Sequence, residues 1–102
     1  MAEANGCAYC LAAHSTIGKM VGLTNPDVVA SRQGRSSDPK ATAALAFARA
    51  ILDRRGDVSD VDLRAVREAG HGDAEIAEIV AHVALNVFTN YFNRLARTDI
   101  DF

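Results

Sequence analysis

Apolar residues recur along this chain at spacings of three and four, the signature of helices that bury one face. The first run begins near Asn5 or just before it and ends at Met20-Val21, with Ile17 and Val21 on its apolar face and Gly22 as C-cap. Thr24 or Asn25 followed by Pro26-Asp27 predicts an N-cap with proline at the first helical position. This opens a short helix through Val28, Val29 and Ala30 that closes near Gly34. Arg35-Ser36-Ser37-Asp38 is polar and reads as a loop. Ser37 or Asp38 then caps a helix with Pro39 in its first turn. Ala41, Ala44, Leu45, Ala48, Ile51 and Leu52 form its inward stripe, and Arg54-Arg55-Gly56 ends it. Ser59 caps a short amphipathic helix with Val61, Leu63 and Val66 inward, and Ser59-Asp60-Val61-Asp62 approximates a capping box. Gly70-His71-Gly72 breaks it. Asp73 is expected to cap the longest helix, from about Ala74 to Arg97, with Ile76, Val80, Val83, Val87 and Leu95 in period. No stretch reads as a strand. The predicted fold class is all-α, about five helices in one domain over residues 1–102.

The last helix departs from simple amphipathicity. Phe88, Tyr91 and Phe92 surround Asn86, Asn90 and Asn93, so its second half is apolar on more than one face. Such a helix lies deep in a core or between subunits. His82 falls on the apolar side, either as a hydrogen-bonded core histidine or as a group approaching the cysteines. Asn86 and Asn90 follow it at helical spacing as a candidate buried polar row. His71, between two glycines, reads as an exposed turn residue.

Composition narrows the function classes. A chain of 102 residues with 49% hydrophobic and 24% charged residues is globular rather than disordered. A net charge of −2 offers no basic footprint for nucleic acid. No apolar run approaches the roughly 20 residues that cross a membrane, and the start lacks the pattern of a signal peptide. The expected compartment is the reducing cytoplasm, where a paired-cysteine motif is catalytic or metal-binding rather than a staple.

Both cysteines fall in Asn5-Gly6-Cys7-Ala8-Tyr9-Cys10-Leu11-Ala12-Ala13-His14. If the segment is helical, Cys7, Cys10 and His14 form one stripe, where an oxidant is expected to reach them. Only the thiolate is a nucleophile, and a helix start favours the anion. After a peroxide has oxidised one sulfur to a sulfenic acid, the neighbouring thiol condenses with it to a disulfide. His14 is placed to take the thiol proton or supply one to the leaving alkoxide. Zinc needs about four ligands, and three are at hand, with only His71 and His82 among the remaining histidines. A thioredoxin-type motif would follow a strand. The remaining alternative is a pair of buried, small apolar cysteines.

Cys7-Ala8-Tyr9-Cys10-Leu11-Ala12-Ala13-His14 resembles the Cys-x-x-Cys-x-x-x-His signature of the AhpD-like alkylhydroperoxidases, within the carboxymuconolactone decarboxylase family. The stretch from Ala81-His82-Val83 to Tyr91-Phe92-Asn93 resembles that family's closing helix, and the tail Asp99-Ile100-Asp101-Phe102 is similar too. The resemblance implies an AhpD-like helical bundle assembled into trimers or hexamers. It also implies a peroxidase acting on small hydroperoxides, needing no cofactor and recharged by a thiol or dithiol donor, for instance one of lipoyl type. Decarboxylase members typically lack the cysteine pair, so Cys7 and Cys10 favour the hydroperoxidase branch; a decarboxylase-like enzyme with incidental cysteines is one alternative. A non-enzymatic redox sensor that exchanges disulfides with a partner is another. Dipole physics favours Cys7 as the attacking sulfur. The family pattern favours Cys10, with Cys7 resolving, and that assignment is adopted. The family's relay glutamate lies about three helical turns ahead of the first cysteine; the sequence begins only six residues before Cys7, so either the preceding helices are missing or the relay is incomplete. Glu3, the only upstream carboxylate, takes its place or is a solvated residue. The absent helices are expected to leave apolar surface that promotes association.

Overall fold

The computed structural model describes residues 1–102 as five α-helices with no strand: α1 Ala8–Met20, α2 Asn25–Arg32, α3 Pro39–Arg54, α4 Asp60–Glu68 and α5 Asp73–Ala96. No helix is long and apolar enough to cross a membrane. The helix boundaries follow local chemistry. Thr24 and Asp27 close a full capping box on α2, and Ser59 and Asp62 close another on α4, so aspartate serves where glutamate is usual. Asp38 caps α3 by accepting from the Lys40 amide, with Pro39 in the first turn. The end of α1 is a Schellman motif: the Leu23 amide donates to the Gly18 carbonyl, that of Gly22 to Lys19, and Gly22 sits at φ 103°.

Two boundaries differ from expectation. The chain before Cys7 is a run of turns rather than the first turn of α1, closed by the Asn5 amide on the Met1 carbonyl and the Cys7 amide on the Ala2 carbonyl. Gly6, at φ 64°, reverses the chain there. At α5 the cap is Gly72, with no side-chain hydrogen bond, and Asp73 is the first helical residue. Asp73 and Glu75 instead favour that terminus through their charge.

Two small cores organise the packing. Phe47 and Ile51 of α3, Val66 of α4 and Val83 of α5 form the larger one. Ala2, Cys7 and Cys10 form the smaller, flanked by Tyr9 and Leu11. The long α5 spans both, packing on α3 and on α1. Phe47 was not in the expected stripe, although it stands one turn before Ile51. Val61, Val80 and Leu95, expected inward, are exposed. Ile17 and Val21 also face solvent.

Only 11 of 102 residues are buried, which leaves bulky apolar side chains outside. Leu85, Phe88, Phe92 and Leu95 recur at spacings of three and four on one side of α5, all exposed, with Phe88 at 67%. Phe88 and Phe92 stack with centroids 6.3 Å apart. The aromatic half of α5 therefore does not fill this chain's own core.

Candidate active site

The local chain geometry sets up the sulfurs. After the Gly6 reversal, Cys7 takes an extended conformation as N-cap of α1, and its Sγ accepts a hydrogen bond from the Cys10 amide at 3.1 Å. Sulfur thus occupies the position of a Ser or Asp N-cap oxygen, beside unpaired helix amides that favour a negative charge. Cys10 follows in the first turn of the helix, and a disulfide joins the two residues, whose Cα atoms are 5.2 Å apart. The expected stripe is therefore modified: Cys10 and His14 belong to the helix, and Cys7 stands at its threshold.

The second half of α5 supplies the other side of the site. Asn93 Nδ2 lies 3.7 Å from Cys10 Sγ and also donates to the Thr89 carbonyl at 2.9 Å. Thr98 Oγ1 donates to Asn93 Oδ1 at 2.9 Å. A carbonyl only accepts, so the Thr89 contact fixes the nitrogen end of the amide toward the sulfur. The Thr89 oxygen is itself 3.9 Å from Cys10 Sγ. A disulfide sulfur has no proton to give, so this separation becomes a hydrogen bond only when Cys10 carries a thiol. One turn away, Asn90 Oδ1 accepts from Asn5 Nδ2, and Arg94 Nη1 donates to the Asn5 carbonyl at 2.9 Å. Asn90 is 0% exposed, and its Nδ2 has no partner. The C-terminal tail reaches the motif as well, with Phe102 against Tyr9, centroids 5.4 Å apart.

His14, one turn beyond Cys10, is exposed and makes no hydrogen bond to either sulfur. It lines a cavity of about 320 Å³ together with Glu3, Ser15, Arg32 and Asn86. Arg32 Nη2 donates to Ser15 Oγ across that cavity wall, at 2.8 Å. Of the candidate site residues, Cys7 and Cys10 are thus brought together; Glu3 and His14 line one cavity with no hydrogen bond between them, and the sulfurs are not part of its wall. Direct access is not found in the disulfide form: Cys7 retains 2% and Cys10 4% exposure. Their cover is the turn around Ala2 together with α5.

The other histidines are placed differently from expectation. His71 is buried, not an exposed turn residue, because its ring bridges two elements. Nδ1 is 2.8 Å from Glu75 Oε2 and Nε2 2.9 Å from the Lys40 carbonyl. The His71 contact, followed by that of Lys40, holds the Glu75 carboxyl below its usual range. His82 is exposed, 3.7 Å from Glu78, and lines a separate cavity of about 350 Å³ with His71. Cys7, Cys10 and His14 do not converge as metal ligands.

A family model for the carboxymuconolactone decarboxylase family matches residues 1–53, which includes the cysteine motif, α1, α2 and nearly all of α3. The chain belongs to the carboxymuconolactone decarboxylase family. No curated protein matches the chain. The carboxymuconolactone decarboxylase family includes AhpD-like peroxidases as well as decarboxylases, and the paired sulfurs at the start of α1 are compatible with the redox branch. Asn5, Asn93, Arg94 and Thr98 were not among the candidate site residues. The run of asparagines among aromatics in the last helix was a signal for Asn93, and nothing in the sequence singled out the other three.

Proposed function

We propose that the protein is a thiol-dependent peroxidase that reduces small hydroperoxides through Cys7 and Cys10. The observation that carries this reading is an N-cap cysteine and a first-turn cysteine held at disulfide distance, so that either sulfur can resolve a sulfenic acid formed on the other. The reaction runs in three balanced steps. The Cys10 thiolate attacks the terminal peroxide oxygen, forming an S–O bond and breaking the O–O bond, and the alkoxide leaves as an alcohol with a proton from His14. Cys7, whose thiolate is stabilised by the Cys10 amide, attacks the sulfenic sulfur, forming the S–S bond and breaking the S–O bond, and the departing hydroxide takes up the proton that Cys7 lost and leaves as water. A dithiol donor then restores both thiols and leaves as its own disulfide. Glu3, sharing the cavity with His14, is the relay carboxylate that returns the imidazole to its starting protonation state.

Access to the sulfurs requires the turn over Ala2 to open. That turn is short and irregular, and opening it breaks the hydrogen bonds that Asn5 makes to Asn90 and Arg94. The proposed setting is the cytoplasm, and the proposed form is a trimer or hexamer built on the exposed aromatic face of α5. Turnover of cumene hydroperoxide with dithiothreitol as donor tests the reading. The wild type consumes the peroxide continuously, and Cys10→Ser abolishes turnover.

The near-complete burial of both sulfurs favours a second reading, a redox sensor whose disulfide exchanges with a partner's thiols. A disulfide that cycles reversibly with dithiols but never turns over peroxide selects that reading. The same result with no reversible exchange leaves a decarboxylase-like enzyme whose cysteines are incidental.

A further inference from the structure

We infer that Asn93 is a further catalytic residue, a fixed hydrogen-bond donor that stabilises the Cys10 thiolate. The inference rests on the peroxidase reading, in which Cys10 is the attacking sulfur. The difficulty it answers is specific. Cys7 has the helix-start amide on its sulfur, but Cys10 sits inside the first turn and receives no backbone donor. Burial at 4% exposure disfavours its anion. Without compensation the attacking sulfur would stay protonated at neutral pH.

Asn93 provides the compensation. Its Nδ2 is 3.7 Å from Cys10 Sγ, within reach for a hydrogen bond to the large sulfur atom. The same Nδ2 also donates to the Thr89 carbonyl and Oδ1 accepts from Thr98, so the amide is oriented before the thiol ionises. The neighbouring Thr89 carbonyl, 3.9 Å from the sulfur, accepts the thiol proton in the neutral form and repels the anion. Asn93 therefore decides the balance between the two states. The charged and titratable groups on the neighbouring segments are the Met1 amino group and Glu3 of the preceding turn, Tyr9 and His14 of the first half of α1, Tyr91 and Arg94 of the second half of α5, and Arg97, Asp99 and Asp101 after it. None of them is hydrogen-bonded to Cys10 Sγ, and the Arg94 guanidinium is engaged by the Asn5 carbonyl.

The test titrates Cys10 alone. In Cys7→Ser the serine keeps the N-cap, and Cys10 is the only thiol. Its ionisation is followed through the ultraviolet absorbance of the thiolate across pH. Adding Asn93→Leu, close in volume and without a donor, is expected to lower the thiolate fraction at a given pH roughly tenfold, about one unit in the titration midpoint. Asn93→Asp is expected to move the midpoint further up, since a carboxylate then faces the sulfur. Thr98→Val, which frees the amide to turn, gives a smaller upward shift and decides the matter if the Asn93 variants do not fold. A midpoint that stays put in a folded Asn93→Leu or in Thr98→Val overturns the inference. The titration needs no peroxide, so its failure is separable from failure of the peroxidase reading. A shifted midpoint in a protein that ignores peroxide sinks only the latter.

Discussion

Asn5 Nδ2 donates to Asn90 Oδ1 at 2.9 Å, tying the turn ahead of Cys7 to the second half of α5 across 85 positions of sequence. The two amides lock the segment that covers the sulfurs onto the helix that faces them. Truncating either has an unequal cost. Asn5→Ala leaves a fully buried Asn90 with neither end paired, and a loss of about 1–3 kcal/mol is expected. Asn90→Leu removes the same bond but also removes Nδ2, which is already unpaired, so its cost is smaller, about 1 kcal/mol. Thermal unfolding followed by circular dichroism should therefore give Tm in the order wild type, Asn90→Leu, Asn5→Ala. The reverse order of the two variants contradicts the role assigned to the pair.

The attacking sulfur is open to direct labelling. Peroxide added to reduced Cys7→Ser is expected to leave a sulfenic acid on Cys10, trapped by a dione reagent and located by mass spectrometry. His14→Ala is expected to slow the peroxide step by roughly 10²- to 10⁴-fold, the usual worth of a positioned acid or base, while dithiol reduction of the disulfide proceeds. A sulfenate on Cys7 in reduced Cys10→Ser, with peroxide consumed stoichiometrically, reverses the assignment of the two sulfurs.

Acid should weaken the capping boxes of α2 and α4. The Thr24 hydroxyl and amide hold the Asp27 carboxyl below its usual range, and those of Ser59, with Arg54 beside them, do the same for Asp62. A carboxyl whose folded pKa is depressed contributes stability above its unfolded value, and that stability is lost as the pH falls through the folded value. The loss therefore begins near pH 3.8, the ordinary aspartate value, and grows below it. Urea midpoints measured through that window should fall less steeply in Asp62→Asn than in the wild type. Equal slopes contradict the assignment for α4.

The all-α class and four of the five N-terminal boundaries were close to readable, because proline, serine, threonine and aspartate at helix starts act locally. What the sequence did not reveal was fixed by contacts distant in the chain. His71 sits between two glycines, the pattern of an exposed turn, yet Glu75 and the Lys40 carbonyl hold it inside. Val61 and Leu95 keep helical period but have no neighbour to cover them. At the site, the pairing of Cys7 with Cys10 was legible from spacing alone. The contribution of Asn93 depends on α5 crossing α1 at one register, and periodicity does not encode that.

The uncovered side of α5 should mediate self-association. Analytical ultracentrifugation is expected to find the wild type larger than one chain, and Phe88→Glu with Phe92→Glu to reduce it toward a single chain while helicity is retained. A wild type that sediments as one chain at every concentration removes the trimer or hexamer from the proposal.

The most direct test of the account begins with the fully reduced protein. One equivalent of hydrogen peroxide is added, and thiols, remaining peroxide and intact mass are followed together. The account expects both thiols and the peroxide to disappear at the same rate, with the protein losing two hydrogen atoms as the disulfide between Cys7 and Cys10 forms. Thiols and peroxide that persist together, in a protein that dithiols had reduced cleanly, would contradict it.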